Sequence, residues 1–233
     1  MAGGKDTVCA IILAGGVGSR MKSNTTKQMM QICGVSVLKR CVLAFEACED
    51  ITEIVVVARQ SEMDFVKAEL SGLNKISNIV PGGKCRAESA ICGLRAVGGD
   101  VQYIAVHDAA RPLIKPENIS AVIRVAKEKG AATLASRVKD TIKIVDEDGK
   151  ILSTPVRSSL VGASTPQIFS KKLYELAIES YSGDLAEITD DNMLVEMLGH
   201  PVFTVISDDP NPKITVSEDV FIAEQIIKGE QNV

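Results

Sequence analysis

Near the start of the chain, "CAIILAGGVGSRMKSNTTKQ" (residues 9–28) places Gly15, Gly16 and Gly18 directly after an apolar run, then two cations, Arg20 and Lys27. Glycines in a turn after a first strand let backbone N–H groups close on a phosphate. Arginine forks onto phosphate oxygens, and lysine brings a mobile point charge. The chemistry this suits is the holding and activation of a nucleoside triphosphate laid along the loop. Two other cradles fail on the letters. A dinucleotide fingerprint needs a third glycine where Met21 stands, and a Walker loop needs Lys and then Ser or Thr where Ser19 and Arg20 follow Gly18. The competing interpretation is a tight strand-to-helix turn whose cations are merely solvated.

A second candidate cluster ends the run "YIAVHDAARP" (103–112), which puts Asp108 and Arg111 at the carboxyl end of a buried strand, where α/β sheets hold their ligands. Asp108 is a hard oxygen donor suited to Mg²⁺ or another divalent cation, directly or through water; a capping or turn role is its alternative. His107 is assigned as a strand-end structural residue rather than a base. In a third segment, "GGKCRAESAICGL", Gly82 and Gly83 precede a helix.

These residues need a frame, and the hydropathy pattern supplies one. "VCAIILA" is followed by "VSVLKRCVLAFEAC", "EIVVVA" by "EMDFVKAEL", and "YIAVHD" by "ENISAVIRVAKEK". Apolar β-branched runs alternating with amphipathic ones predict a Rossmann-like α/β fold, a mostly parallel sheet with helices on both faces. The runs are continuously apolar, as strands covered on both sides must be. After Lys129 the beat breaks: "AATLASRVKDTIKIVDEDGKILSTPVR" offers three strand-like runs, a turn at 146–149 and no helix of useful length, which predicts a protruding β-hairpin arm. Helices return with "SKKLYELAIESY" and "TDDNMLVEML", then a strand, "PVFTVI", and a closing helix, "SEDVFIAEQIIKG". One domain over 1–233, with an arm at about 137–163, is expected.

Composition narrows the partners. A net charge of −4 with no basic stripe argues against nucleic acid, and three Tyr, five Phe and no Trp leave few stacking platforms. Six cysteines without a CxxC pair, and two histidines, fit reduced core thiols of a cytoplasmic protein rather than a metal site. "MAGGKDTV" has no apolar signal core, and no run reaches the roughly 18 residues that span a bilayer, so no membrane partner is expected.

Several ordered blocks together resemble a known family: "ILAGGVGSRM", "KQ" at Lys27, "GGKCRAES" at 82–89, "VHDAARP" at 106–112, "VKDTIK" at 138–143, "TPVR" at 154–157, "STPQ" at 164–167, "TDD" at 189–191 and "NPKIT" at 211–215. From about Cys9 to Ile227 the chain is similar to the 2-C-methyl-D-erythritol 4-phosphate cytidylyltransferases of the non-mevalonate isoprenoid pathway. The resemblance implies attack by the phosphate of methylerythritol phosphate on the α-phosphorus of CTP, loss of pyrophosphate, a Mg²⁺ requirement, and a homodimer clasped through the arm.

Residue by residue, the resemblance implies catalytic roles for Arg20, Lys27, Arg157 and Lys213, the first two as transition-state stabilisers. It implies nucleotide contacts at Ala14, Gly15, Gly16, Gly18, Gly82, Gly83, Ser89 and Asp108, and acceptor contacts at Arg111, Thr141, Arg157, Thr165 and Lys213. Thr141 would reach across the dimer. Arg86 matches a family arginine and equally suits a solvated helix-start cation. Thr189 matches a polar family position, with helix N-capping as its alternative. The chain departs from the family at Thr26, where proline is usual before the lysine, at "TDDNM", and at the additional Pro212. A ribitol 5-phosphate cytidylyltransferase and a nucleotide-sensing module without turnover are the rival expectations.

Overall fold

The structure is a computed structural model that describes residues 6–16 and 26–231. In chain order the elements are β1 (Val8–Leu13), β2 (Gln31–Ile32), β3 (Val35–Ser36), α1 (Val37–Ala47), β4 (Glu53–Ala58), α2 (Met63–Glu69), β5 (Ile76–Pro81), α3 (Arg86–Arg95) and β6 (Tyr103–Asp108). They continue with α4 (Pro116–Lys129), β7 (Ala131–Arg137), β8 (Ile144–Val145), β9 (Ile151–Ser153), β10 (Val161–Ser170), α5 (Lys171–Ser180), α6 (Asp191–Met197), β11 (Phe203–Ile206) and α7 (Ser217–Gln231).

Seven strands form the main sheet in the order β11-β7-β10-β6-β1-β4-β5. β10 pairs antiparallel with both β6 and β7, and every other pairing in the sheet is parallel. The α/β architecture with helices on both faces is therefore as the alternation predicts. All six residues of β1 are buried, and its period of two divides them between two cores. Val8, Ala10 and Ile12 meet Leu38, Phe45, Val66 and Ile119 on the face covered by α1, α2 and α4. Cys9, Ile11 and Leu13 meet Ala90, Leu94, Tyr174 and Leu194 on the face covered by α3, α5 and α6.

Local chemistry sets the helix ends. Ser36 caps α1 by accepting the Lys39 N–H at 3.0 Å, so that helix starts at Val37 and not at the Val35 of the expected run. Pro116 opens α4, and Gly130, at φ 90°, closes it. Asp190, accepting from Met193 N at 3.1 Å, caps α6; Thr189 therefore is not the cap, and its hydroxyl lies exposed beside Met193.

Two strands lie outside the expected beat. β5 sits at one edge of the sheet, and β10 lies between β6 and β7, inside it. Between β7 and β10 the chain leaves the sheet and forms a small β8–β9 hairpin. Its turn is closed by Gly149 N–H on Asp146 O at 3.1 Å, with Asp146 Oδ1 accepting from Lys150 N at 2.9 Å. Ile144, Val145, Ile151 and Leu152 on this hairpin are exposed.

Candidate active site

Four parallel strands end on one rim, and their exits build the site. β1 extends one residue further, because Ala14 N–H bonds Val57 O at 2.7 Å, and then turns through Gly15 and Gly16. Gly18 and Arg20 lie outside the described residues. When the chain resumes, the buried amide of Gln28 donates to the carbonyl of Ala14 and, at 3.5 Å, to that of Gly16. This ties the glycine turn to the lysine segment. A Cβ built on Gly16 would stand 3.0 Å from Lys27 Nζ, so the absent side chain is what lets that ammonium lie over the turn.

The opposite wall comes from the exit of β5 and the first turn of α3. Ser89 donates to Cys85 O at 2.9 Å and accepts from Gly83 N at 3.2 Å. A Cβ on Gly82 would fall 2.8 Å from the Ser89 hydroxyl, and one on Gly83 2.4 Å from Glu88 Cβ, so both glycines are required for this close approach. The result is a cavity of about 380 Å³ lined by Gly15, Gly16, Gly83, Ser89, Asp108 and five cations: Lys27, Arg59, Lys84, Arg86 and Lys213.

Charge in this cavity is organised around Asp108. Arg86 Nε donates to its Oδ1 at 3.0 Å and Lys213 Nζ to its Oδ2 at 2.7 Å. Burial alone would raise the Asp108 pKa, but these two cations outweigh it and hold the carboxyl well below the usual carboxylate range. Arg86 also reaches back to the fully buried Asp191 at 2.7 Å, which accepts from Tyr174 OH at 2.6 Å and whose N–H bonds Gln167 Oε1 at 2.8 Å. Burial opposes the Arg86 charge, and Asp191 and Asp108 more than restore it. Arg86 is thus a paired wall of the cavity and not a solvated helix-start cation. His107 is fully buried, and burial pulls its pKa down to about 4, so the ring is neutral at physiological pH. It bonds Thr165 and the Arg111 carbonyl and does not line the cavity.

The fold brings together Gly15, Gly16, Lys27, Gly83, Ser89, Asp108 and Lys213, with Ala14 and Gly82 directly behind that surface. Arg111 instead lines a second cavity of about 630 Å³, between β7, β10 and the segment entering α7, and donates to Asn211 O at 3.1 Å. Thr165 is buried, with its hydroxyl engaged by His107 and Asp108 N–H. Thr141 and Arg157 ride on the arm, where Arg157 bonds Lys139 O at 3.0 Å; within one chain neither lines the Asp108 cavity. The expected meeting of Arg157 with Lys213 is therefore not made inside a single copy. Sequence reasoning passed over Arg59, Lys84, Gln28 and Asp191. Arg59 had a signal, since it follows "EIVVVA" at the end of a strand just as Asp108 follows "YIAVH".

A family model described as 2-C-methyl-D-erythritol 4-phosphate cytidylyltransferase matches residues 8–229. Proteins of that name from Pelotomaculum thermopropionicum and Lachnoclostridium phytofermentans are 39% and 40% identical over 229 and 234 residues. In both cases 97% of this chain is covered, with 96% and 99% of the relative. The crystal structure of a 4-diphosphocytidyl-2C-methyl-D-erythritol synthase from Anaerococcus prevotii matches with a TM-score of 0.87 at 29% identity, over 96% of this chain and 97% of that one. This chain belongs to the 2-C-methyl-D-erythritol 4-phosphate cytidylyltransferase family.

Proposed function

We propose that this chain transfers CMP from CTP to 2-C-methyl-D-erythritol 4-phosphate, giving 4-diphosphocytidyl-2-C-methyl-D-erythritol and pyrophosphate, a step of non-mevalonate isoprenoid biosynthesis. The observation that carries this assignment is one cavity with a glycine floor, five cations and a single carboxylate among its described lining residues. An acceptor phosphate oxygen forms a bond to the α-phosphorus of CTP as the bond to the β-phosphate oxygen breaks, and the electron pair leaves with pyrophosphate. The nucleophile is already ionised, so the protein has only to cancel repulsion and align the groups. Lys27, with Arg20, takes the charge developing at the α-phosphate. Ala14, Gly15, Gly16 and Gly18, with the Gly82–Gly83 turn and Ser89, hold the nucleotide.

Among the described residues no group of three or more His, Cys, Asp or Glu could hold a metal ion. That donor set fits Mg²⁺ carried mainly by the triphosphate, with Asp108 as its one protein carboxylate, directly or through water. When bound, the ion would neutralise charge on the departing pyrophosphate. Asp108 would exchange one of its two cationic partners to do so.

Lys213 binds the acceptor phosphate, with Arg111 flanking it, while Arg157 and Thr141 reach the site from the arm of a second copy. The exposed apolar side chains of that arm, Ile142, Ile144, Val145, Ile151, Leu152 and Val156, support a homodimer clasped there. No helix among the described residues is long and apolar enough to cross a membrane, and the six cysteines are unpaired, which supports a cytoplasmic location. The test is pyrophosphate release by the purified chain with CTP, Mg²⁺ and either acceptor. Methylerythritol phosphate is expected to turn over in preference to ribitol 5-phosphate. Tight CTP binding without pyrophosphate release, or a preference for ribitol phosphate, overturns the assignment.

A further inference from the structure

The turn that follows β6 serves two cavities at once. Asp108 lines the smaller one and Arg111, three residues on, the larger. What holds the turn in shape lies beneath both. His107 is fully buried against Phe45, ring centroids 4.9 Å apart. Its Nδ1 lies 3.0 Å from the Thr165 hydroxyl and its Nε2 3.2 Å from the Arg111 carbonyl. The same hydroxyl lies 3.2 Å from the Asp108 N–H.

Only one arrangement of protons in a neutral ring satisfies all three contacts. A carbonyl can only accept, so Nε2 carries the ring proton and donates to Arg111 O. Nδ1 is then bare and must accept, so Thr165 donates its hydroxyl proton to it, and an oxygen lone pair receives the Asp108 N–H. The chain of bonds runs from Asp108 N–H through Thr165 and His107 to the Arg111 carbonyl. It begins at the residue that enters one cavity and ends at the residue that enters the other.

We propose that Thr165 and His107 are positioning residues, a buried brace that sets the Asp108-to-Arg111 turn and so fixes the nucleotide and acceptor sites relative to each other. In its kinetic consequences this rests on the proposed reaction; in its proton arrangement it does not. Thr165 then acts from below the site, with no contact to the acceptor.

The test combines ¹⁵N NMR of histidine-labelled protein with kinetics of two variants. The chain has two histidines, so a His200→Gln sample assigns the His107 ring signals. The wild-type ring is expected to be protonated at Nε2 and bare at Nδ1. Thr165→Ser keeps the hydroxyl and is expected to keep both the ring signals and the kinetics. Thr165→Val removes it, and is expected to shift the Nδ1 signal, to lower kcat on the order of 10- to 100-fold and to raise KM for CTP and acceptor alike, as misplacement by about 1 Å does. A wild-type ring protonated at Nδ1 overturns the proposal. So does a Thr165→Val enzyme with wild-type kinetics, or one in which only the acceptor KM rises while the ring signals stay put, which would make the hydroxyl a direct acceptor contact. Should the valine variant fail to fold, the wild-type tautomer together with Thr165→Ser decides. A wild-type protein inert toward methylerythritol phosphate would sink the reaction and leave the tautomer to be read.

Discussion

A lysine whose ammonium rests on a glycine turn inside a cation-lined cavity has a different cost of removal from one in bulk water. Lys27→Ala is expected to lower kcat on the order of 10²- to 10³-fold, as loss of one well-placed charge donor does, with a thermal midpoint close to wild type. Steady-state kinetics beside a melting curve check this, and wild-type kcat would return Lys27 to the solvated surface. Thiols give a second residue-scale expectation. Burial, aided by Glu53 for Cys9 and by Asp108 for Cys41, pushes both thiols well above their ordinary range, whereas Cys33 is exposed. Native protein treated with iodoacetamide should label at Cys33 and spare Cys9 and Cys41 until denatured, as peptide mass spectrometry would reveal. Residues next to glycines or at strand ends were legible in the sequence because the pattern is local. Asp191 was not: it meets Arg86 across 105 positions, and nothing near "TDDNM" announces a buried partner.

At the scale of elements, α3 owes its position to a missing side chain. A Cβ on Gly93 would fall 2.3 Å from Ile11 Cγ2 and 2.8 Å from Val57 Cγ2, both on rigid central strands. Gly93→Ala is expected to cost about 1–3 kcal/mol by overpacking, read in denaturant unfolding, and to raise the KM for CTP because the helix carrying Arg86 and Ser89 is lifted. The start of α7 is held differently. Asp219, third in the helix, accepts from Thr215 N at 2.6 Å, Thr215 Oγ1 at 2.8 Å and Val216 N at 2.9 Å. Burial would raise its pKa, but those donors keep it below its ordinary value. The resulting stability is present above the unfolded carboxyl's range, about 3.9, and is lost as pH falls through the lower folded value. Hydrogen exchange at the start of α7 should therefore quicken below about pH 4 in wild type and already at neutral pH in Asp219→Asn. The alternating helices were legible because each carries one apolar stripe. β10 was not, since "VGASTPQIFS" shows neither strict alternation nor a continuous apolar run, and its place is set by pairing with strands on both sides.

For the whole molecule, the proposed completion of the site by the arm of a second copy makes a prediction about mixtures. Arg157→Ala and Lys213→Ala should each be nearly inactive alone. Refolded together, half of the dimers pair one of each and restore one of two sites, so about a quarter of wild-type activity should return. A mixture that stays at the level of either parent would place both residues in the same copy's site or in none. The arm was legible as a loss of rhythm after Lys129; the exposure of Ile144, Val145, Ile151 and Leu152 on it was not, because burial depends on what packs against a strand and not on its own letters.

The arm also departs from β7 and returns as β10, and both of those strands lie inside the sheet, with β10 bonded directly to β6 through pairs such as Gln167 with Val106. In the proposed dimer a clasp attached in this way would be hinged one rung from the turn that bears Asp108, so tension between two subunits would be delivered to the proposed reaction centre without passing through any loop.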